Sequence, residues 1–173
     1  KAYQLSRDQI ASVTASLIAE VLSTEFSRQA GASARTAWSA DTPLGEGGLD
    51  LSPGERAACL ARAARFFGSQ ELFSETAPET LGAVADGIAG AASSNLTAFC
   101  FTAAGGLGRV FDHPADRIFG DAAALANLIY GRRRILSLVA PHSLIGFSLS
   151  VLAPNLLGLP AIDARGLSPD DLQ

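Results

Sequence analysis

The stretch from Leu96 to Asp163 constrains this chain most. Its pattern reads apolar strand, glycine-rich turn, helix, strand, helix, strand. Leu96 to Phe101 is largely apolar and runs directly into Thr102-Ala-Ala-Gly-Gly-Leu-Gly108. A strand that feeds a glycine loop and then a helix is a common way to place a phosphate on backbone N–H groups. This loop has the small residues that close approach needs and one hydroxyl, Thr102. It lacks the further hydroxyls and the lysine that hold a triphosphate. Gly105, Gly106 and Gly108 could therefore offer N–H contacts to a nucleotide, with little charge neutralisation. The plainer reading is an ordinary glycine turn between strand and helix.

At 173 residues the chain is one domain, or a small domain plus a lobe, and is long enough to bury a core. Hydrophobic residues make up 48% and charged residues 17%, which excludes a disordered tail. The net charge of -4 argues against a nucleic-acid surface, and the short basic run Arg132 to Arg134 does not reverse that. Cys59 and Cys100 stand apart in apolar settings and read as small buried hydrophobes, with no metal spacing and no disulfide framework. No signal-like segment and no apolar run of membrane-spanning length is visible, so the expected location is the cytoplasm. The sequence contains no methionine, so residues before Lys1 are expected in the natural protein.

The first half reads as helices. Ile10, Val13, Leu17 and Val21 recur at helical spacing from Ser6 to about Ser27, with Ser12, Ser16, Glu20 and Ser23 on the opposite face. Ser6 with Gln9 forms a capping-box pattern. Residues 30–50 read as a loop that Trp38 is expected to pin. Ser52-Pro53-Gly54-Glu55 is a strong helix start, and that helix ends at Gly68. Pro78 is expected to open a further helix to about Ala92, whose many small residues imply close packing or a mobile cover.

The second half reads as α/β. Strands are expected at 96–101, 134–139 and 159–163, and helices at 115–130 and 142–157. Pro154 is expected to bend or end the last helix. Two right-handed crossovers would place the three strands in one small parallel sheet of β-α-β-α-β order. The expected organisation is thus a helical lobe over 1–92 and an α/β lobe over 93–173, in one continuous domain.

Three segments compete for a chemical role. Val139-Ala-Pro-His142 places a histidine where a strand ends and a buried helix begins. That is the carboxyl edge of a parallel sheet, where open α/β folds bind ligands. A packing or capping histidine is the alternative. Thr102, His142 and Phe147 would then border one crevice. Gly48-Leu-Asp-Leu-Ser52 faintly resembles the attachment site of acyl carrier proteins, but Leu51 separates Asp50 from Ser52, and a helix cap is the better reading. Asp112 and His113 are adjacent and just precede a helix start at Pro114, so a catalytic dyad there is not expected.

The second half resembles the adenylate-forming acyl- and aryl-CoA ligase superfamily, most closely the branch that activates 4-coumarate for photoactive yellow protein. That branch has a phosphate loop of the form F-T-S-G-S-T-G-x-P-K followed by a histidine, then V-P-x-H-H-I-Y-G-F, L-L-P-x-L-G and V-D-A-R. Here stand Phe101-Thr102-Ala-Ala-Gly105-Gly106, then His113, then Val139-Ala-Pro-His142-Ser143-Leu-Ile-Gly146-Phe147, Leu152-Ala-Pro154-Asn-Leu-Leu-Gly158 and Ile162-Asp163-Ala164-Arg165. The resemblance covers about residues 96–172, and more weakly the helix near 52–67. The departures are specific. Loop hydroxyls are replaced by Ala103, Gly105 and Gly106, Arg109 and Val110 stand near the lysine position, and Ser143 and Ile145 replace the second histidine and the tyrosine. The adenine- and ribose-binding segments and the mobile lid of that family would lie beyond Gln173.

The resemblance implies a degenerate or truncated ligase homologue, non-catalytic alone, that binds an acyl or aryl group or pairs with a ligase or acyl-carrier partner. Its ligand-binding candidates are Thr102, Gly105, Gly106, Gly108, His142 and Phe147, with no catalytic residue and no metal ligand assigned. No cofactor is expected for this chain alone; ATP, magnesium and CoA enter only if it belongs to an active acid–thiol ligase. Two other readings stay open: the amino-terminal part of an active 4-coumarate or acyl-CoA ligase, and a helical protein-interaction module.

Overall fold

The computed structural model describes residues 5–29, 38–75, 77–103 and 109–172. Helix α1 spans Arg7–Phe26 and opens on the Ser6/Gln9 capping box. Helix α2 spans Pro53–Phe66, capped by Ser52 and Glu55 in the same reciprocal way. The Ser52 hydroxyl therefore accepts from the Glu55 N–H and serves the helix. Arg28 ties the end of α1 to the start of α2 through Glu55, 3.1 Å away, and through the Leu49 carbonyl at 2.6 Å.

Helix α3 spans Leu81–Asn95. It starts later than Pro78 because Thr80 is the residue whose side chain accepts the first free N–H, that of Ala83. Its small residues permit close packing: a Cβ on Gly82 would lie 2.7 Å from the Ala40 carbonyl oxygen, and one on Gly87 would lie 3.0 Å from the Phe73 ring.

The second half is mixed α/β, with a different sheet from the one expected. Strand β1, Ala98–Thr102, pairs antiparallel with β2, Val110–Pro114, in the register Phe99 opposite His113 and Phe101 opposite Phe111. The glycine-rich connection thus joins two hairpin strands instead of a strand to a helix. The span from 103 to 109 is too short for the crossover that a parallel pair requires. Helix α4, Ala115–Ile129, follows β2 directly, with Pro114 at its N-cap. Among the described residues only β3, Ile135–Ser137, and β4, Ala161–Asp163, are parallel, and they form a separate two-stranded sheet.

The β3–β4 crossover is one helical run, here called α5. It is α-helical over Leu144–Gly146, π-helical over Phe147–Leu152 and α-helical again over Ala153–Leu157. Pro154 therefore neither ends nor breaks it. The wider π turn brings the Ala153 N–H to the Ser148 carbonyl, and the missing N–H of proline falls just inside the new α-helical segment, where none is needed. Gly158, at φ 65°, closes the run.

One hydrophobic cluster takes side chains from both halves of the chain: Ile10, Leu17 and Leu22 of α1, Phe66 of α2, Val84 and Ile88 of α3, Phe99 and Phe101 of β1, Ile118 of α4 and Phe147 of α5. Its centre is aromatic. The Phe147 ring lies 4.8 Å from that of Phe99 and 5.3 Å from that of Phe66, in tilted and edge-to-face contacts. The two thiols, Cys59 and Cys100, are unpaired and buried, and burial pushes the Cys59 thiol up to about 12. No described helix is long and apolar enough to cross a membrane.

Candidate functional site

The periodicity of α1 puts Ser16 and Glu20 on a face away from Leu17 and Val21, four residues apart and therefore side by side. In the fold that face is covered. The loop before α5 and the segment after β4 close over it, and Ser16 is buried with 5% exposure. His142 comes from the β3–α5 loop and Arg165 from just past β4. These two residues belong to separate segments of the sequence, and both converge on Ser16.

The distances define a chain of polar groups. Ser16 Oγ lies 2.7 Å from His142 Nδ1, and His142 Nε2 lies 3.3 Å from Glu20 Oε1. Arg165 Nη2 donates to Ser16 Oγ at 3.1 Å, and Arg165 Nε donates to Asp163 Oδ1 at 2.8 Å. One proton arrangement satisfies all of these contacts. Ser16 accepts from Arg165 and donates its own proton to His142 Nδ1, while the ring N–H at Nε2 faces the Glu20 carboxylate. Ser16, Glu20, His142 and Arg165 line a hollow of about 250 Å³ together with Ser23 and Gln29. A second hollow, of about 420 Å³, meets the first at Ser16 and Arg165; Ala11, Ala15, Trp38, Leu81 and Ile162 give it apolar walls.

The hydrogen bond from His142 holds the Glu20 carboxyl below its ordinary range, against the opposing effect of burial. Burial pulls the Arg62 guanidinium of α2 down, and the Glu20 charge pulls it back up. A carboxylate whose pKa is depressed on folding contributes stability above its unfolded pKa. That contribution is lost as pH falls through the lower folded value. Glu20→Gln is therefore expected to be destabilising at neutral pH, with the gap to the native chain closing as pH drops below the usual glutamate range. Urea unfolding at pH 7 and pH 3 checks this; a gap that stays constant would show that Glu20 does not hold its charge through His142.

The residues singled out from the sequence fall in different places. His142 is in the site and is 9% exposed. Thr102 ends β1, where its Oγ1 accepts from Arg62 Nη2 at 2.8 Å. It is not among the walls of the hollow that His142 lines. Phe147 is fully buried in the aromatic cluster, because an uncharged ring gains more from the core than from a solvent-facing crevice. Gly105, Gly106 and Gly108 lie outside the described residues. His113 packs on Phe101 at 5.5 Å, and its neighbour Asp112 points to the other face of the strand. Among the described residues no group of three or more His, Cys, Asp or Glu side chains could hold a metal ion.

Ser16, Glu20 and Arg165 were not singled out as site residues from the sequence. The one signal for the first two is their spacing of four on a polar helix face, which solvated serines and glutamates share. Comparison of the chain with protein-family models, with curated proteins and with solved structures finds no match.

Proposed function

We propose that this chain is a non-adenylating relative of the adenylate-forming ligases that binds a small acyl or aryl group bearing a carboxylate or carbonyl. The observation that carries the reading is the convergence of His142 and Arg165 on Ser16. These two residues come from two of the segments through which the chain resembles 4-coumarate-activating ligases. Arg165, ion-paired with Asp163, still presents an N–H toward Ser16 that suits a ligand carbonyl or carboxylate, and the adjoining hollow, lined by Ala11, Ala15, Trp38 and Leu81 as well as Asp8 and Asp163, supplies space for a ring or short chain. The segment between Thr102 and Arg109 has no lysine, so the cation that a phosphate loop itself supplies to a triphosphate is missing from it.

The expected result is no substrate-dependent pyrophosphate exchange with ATP and 4-coumarate or fatty acids. Clear exchange by this chain would defeat the proposal.

A second reading, in which the lobe works against a larger ligase domain or a ligase or carrier partner, is favoured by the β3–β4 sheet. Leu136, Leu138, Val139 and Ile162 are exposed at 41%, 75%, 43% and 38%. Parallel sheets are found almost only with both faces covered. The intact mass of the natural protein tests the first form of this reading: a value near 17.8 kDa would remove it. The helical interaction module gains nothing comparable, because no large exposed hydrophobic side chain lies on α3 among the described residues.

A further inference from the structure

We propose that Ser16 is an acylable nucleophile, with His142 as its general base, Glu20 as the group that orients the base, and short-chain or aryl esters and thioesters as its substrates. This goes beyond the ligase-like reading and does not depend on it. A ligand-binding lobe needs no activated serine, and an activated serine needs no ancestral ligase.

The order of contacts is that of an activated serine. An aliphatic hydroxyl is a weak nucleophile unless a base within hydrogen-bond reach takes its proton, and the base works best when a third group fixes its orientation. Here the nucleophile–base distance is 2.7 Å and the base–carboxylate distance is 3.3 Å. The two flanking contacts use the two different ring nitrogens of His142, which is what a relay needs. Two contacts to one nitrogen would not serve. Nδ1 faces the serine and Nε2 faces the carboxylate. Arg165, held by Asp163, donates to Ser16 Oγ at 3.1 Å and fixes the position of that oxygen.

The surroundings define the substrate class. Ser16 and Arg165 stand where two hollows meet. The larger, with Ala11, Ala15, Trp38 and Leu81 in its walls, takes an apolar acyl or aryl part. The smaller, with Glu20, Ser23 and Gln29, takes a polar leaving group.

The step balances without any further reagent than water. Ser16 Oγ bonds to the carbonyl carbon as its proton passes to His142 Nδ1. The carbon–oxygen or carbon–sulfur bond to the leaving group breaks, and the leaving alcohol or thiol takes that proton from His142. Water then gives a proton to Nδ1 and its oxygen bonds to the acyl carbon. Ser16 departs from that carbon and recovers a proton from His142, releasing the carboxylic acid. Throughout, the Glu20 carboxylate stabilises the transient imidazolium at Nε2.

The alternative is a tether with the same hydrogen bonds and no reactivity, binding α1 to the α/β half. The test is therefore covalent. The full chain is incubated with a fluorophosphonate probe and, separately, with p-nitrophenyl butyrate, and the adduct is located by fragment-ion mass spectrometry. The expected result is one phosphonyl group on Ser16, absent in Ser16→Ala and retained in Ser94→Ala, a substitution at an exposed serine of α3 outside both hollows. His142→Gln is expected to slow labelling by at least about 100-fold, the usual contribution of a general base. Glu20→Asp should recover part of the rate that Glu20→Gln loses, which a purely structural role would not produce. Cooperative unfolding of each variant establishes that it is folded, and the native chain decides the matter even if a variant is not. Native protein that is folded and unlabelled at Ser16 overturns the proposal, as does labelling at equal rate in folded His142→Gln or an adduct on another serine.

Discussion

Phe147→Ala is expected to cost about 3–5 kcal/mol of folding stability, the usual range for emptying an aromatic side chain from a packed core. The ring is fully buried and touches those of Phe66, Phe99 and Phe101 at centroid distances of 5.3, 4.8 and 5.9 Å. It joins α2, β1 and α5, so its loss opens a cavity that no single element can collapse to fill. Against a typical domain stability of about 5–15 kcal/mol, such a loss moves the chain close to unfolding at physiological temperature. Urea titration reads it as a lower midpoint at unchanged slope. A loss under about 1 kcal/mol, accompanied by weaker ligand binding, would instead place Phe147 on a ligand-facing wall.

Gly146→Ala is expected to be nearly as damaging for a different reason. A Cβ at this position would stand 2.0 Å from the Ala140 carbonyl oxygen and 2.7 Å from Ser143 Oγ. The first of these is backbone and cannot move aside by changing a rotamer. The Ala140 carbonyl also accepts from the Ser143 N–H and hydroxyl, and Ser143 Oγ caps the Gly146 N–H. Relief of the clash therefore means opening the turn that carries His142. The expected cost is at the upper end of the range of about 1–3 kcal/mol for overpacking a close contact. The same substitution should also move His142 off Ser16 and abolish labelling of Ser16. Gly146→Ala with native stability and native labelling would show that the 140–146 turn is looser than its contacts imply.

Much of the secondary structure was legible because it is written in short-range chemistry. The capping boxes at Ser6 and Ser52 and the spacing of Ile10, Val13 and Leu17 need only a few neighbouring residues to act. The strands near 98, 135 and 161 were also placed correctly, being apolar runs bounded by turn residues. Strand partnership was not legible in the same way. Val110 to Pro114 reads as the approach to a helix, and the pairing that makes it a strand is supplied by β1 across the glycine-rich connection. The mixed α/β character expected from the sequence is found, but the expected single parallel sheet is replaced by an antiparallel pair and a separate parallel pair. Pro154 was expected to bend or end the helix because proline removes one donor. The π turn ahead of it, which makes the proline tolerable, has no local signature in Phe147 to Leu152.

The candidate site shows the same division. His142 was found because a strand end followed by a helix start is a local pattern with a geometric consequence. Ser16 and Glu20 were read only as part of the face opposite the apolar stripe, since nothing within α1 records what packs against it. Their role comes from His142 and Arg165, more than a hundred residues away in the chain. Thr102 and Phe147 were named with His142 because all three would lie at one edge of a parallel sheet. Once β1 pairs with β2, that common edge is gone. Thr102 then belongs to Arg62 and Phe147 to the core.

The site around Arg165 and His142 is proposed to take an apolar carboxylate or acyl group and to have little affinity for a nucleotide triphosphate. Titration calorimetry of the full chain with 4-coumarate, with an acyl thioester and with ATP tests it directly. Measurable binding of 4-coumarate or the thioester and weaker binding of ATP are expected. Folded Arg165→Gln should lose at least about tenfold in the first two, a difference of about 1.4 kcal/mol. Tight ATP binding that is indifferent to Arg165→Gln and to His142→Ala would contradict it.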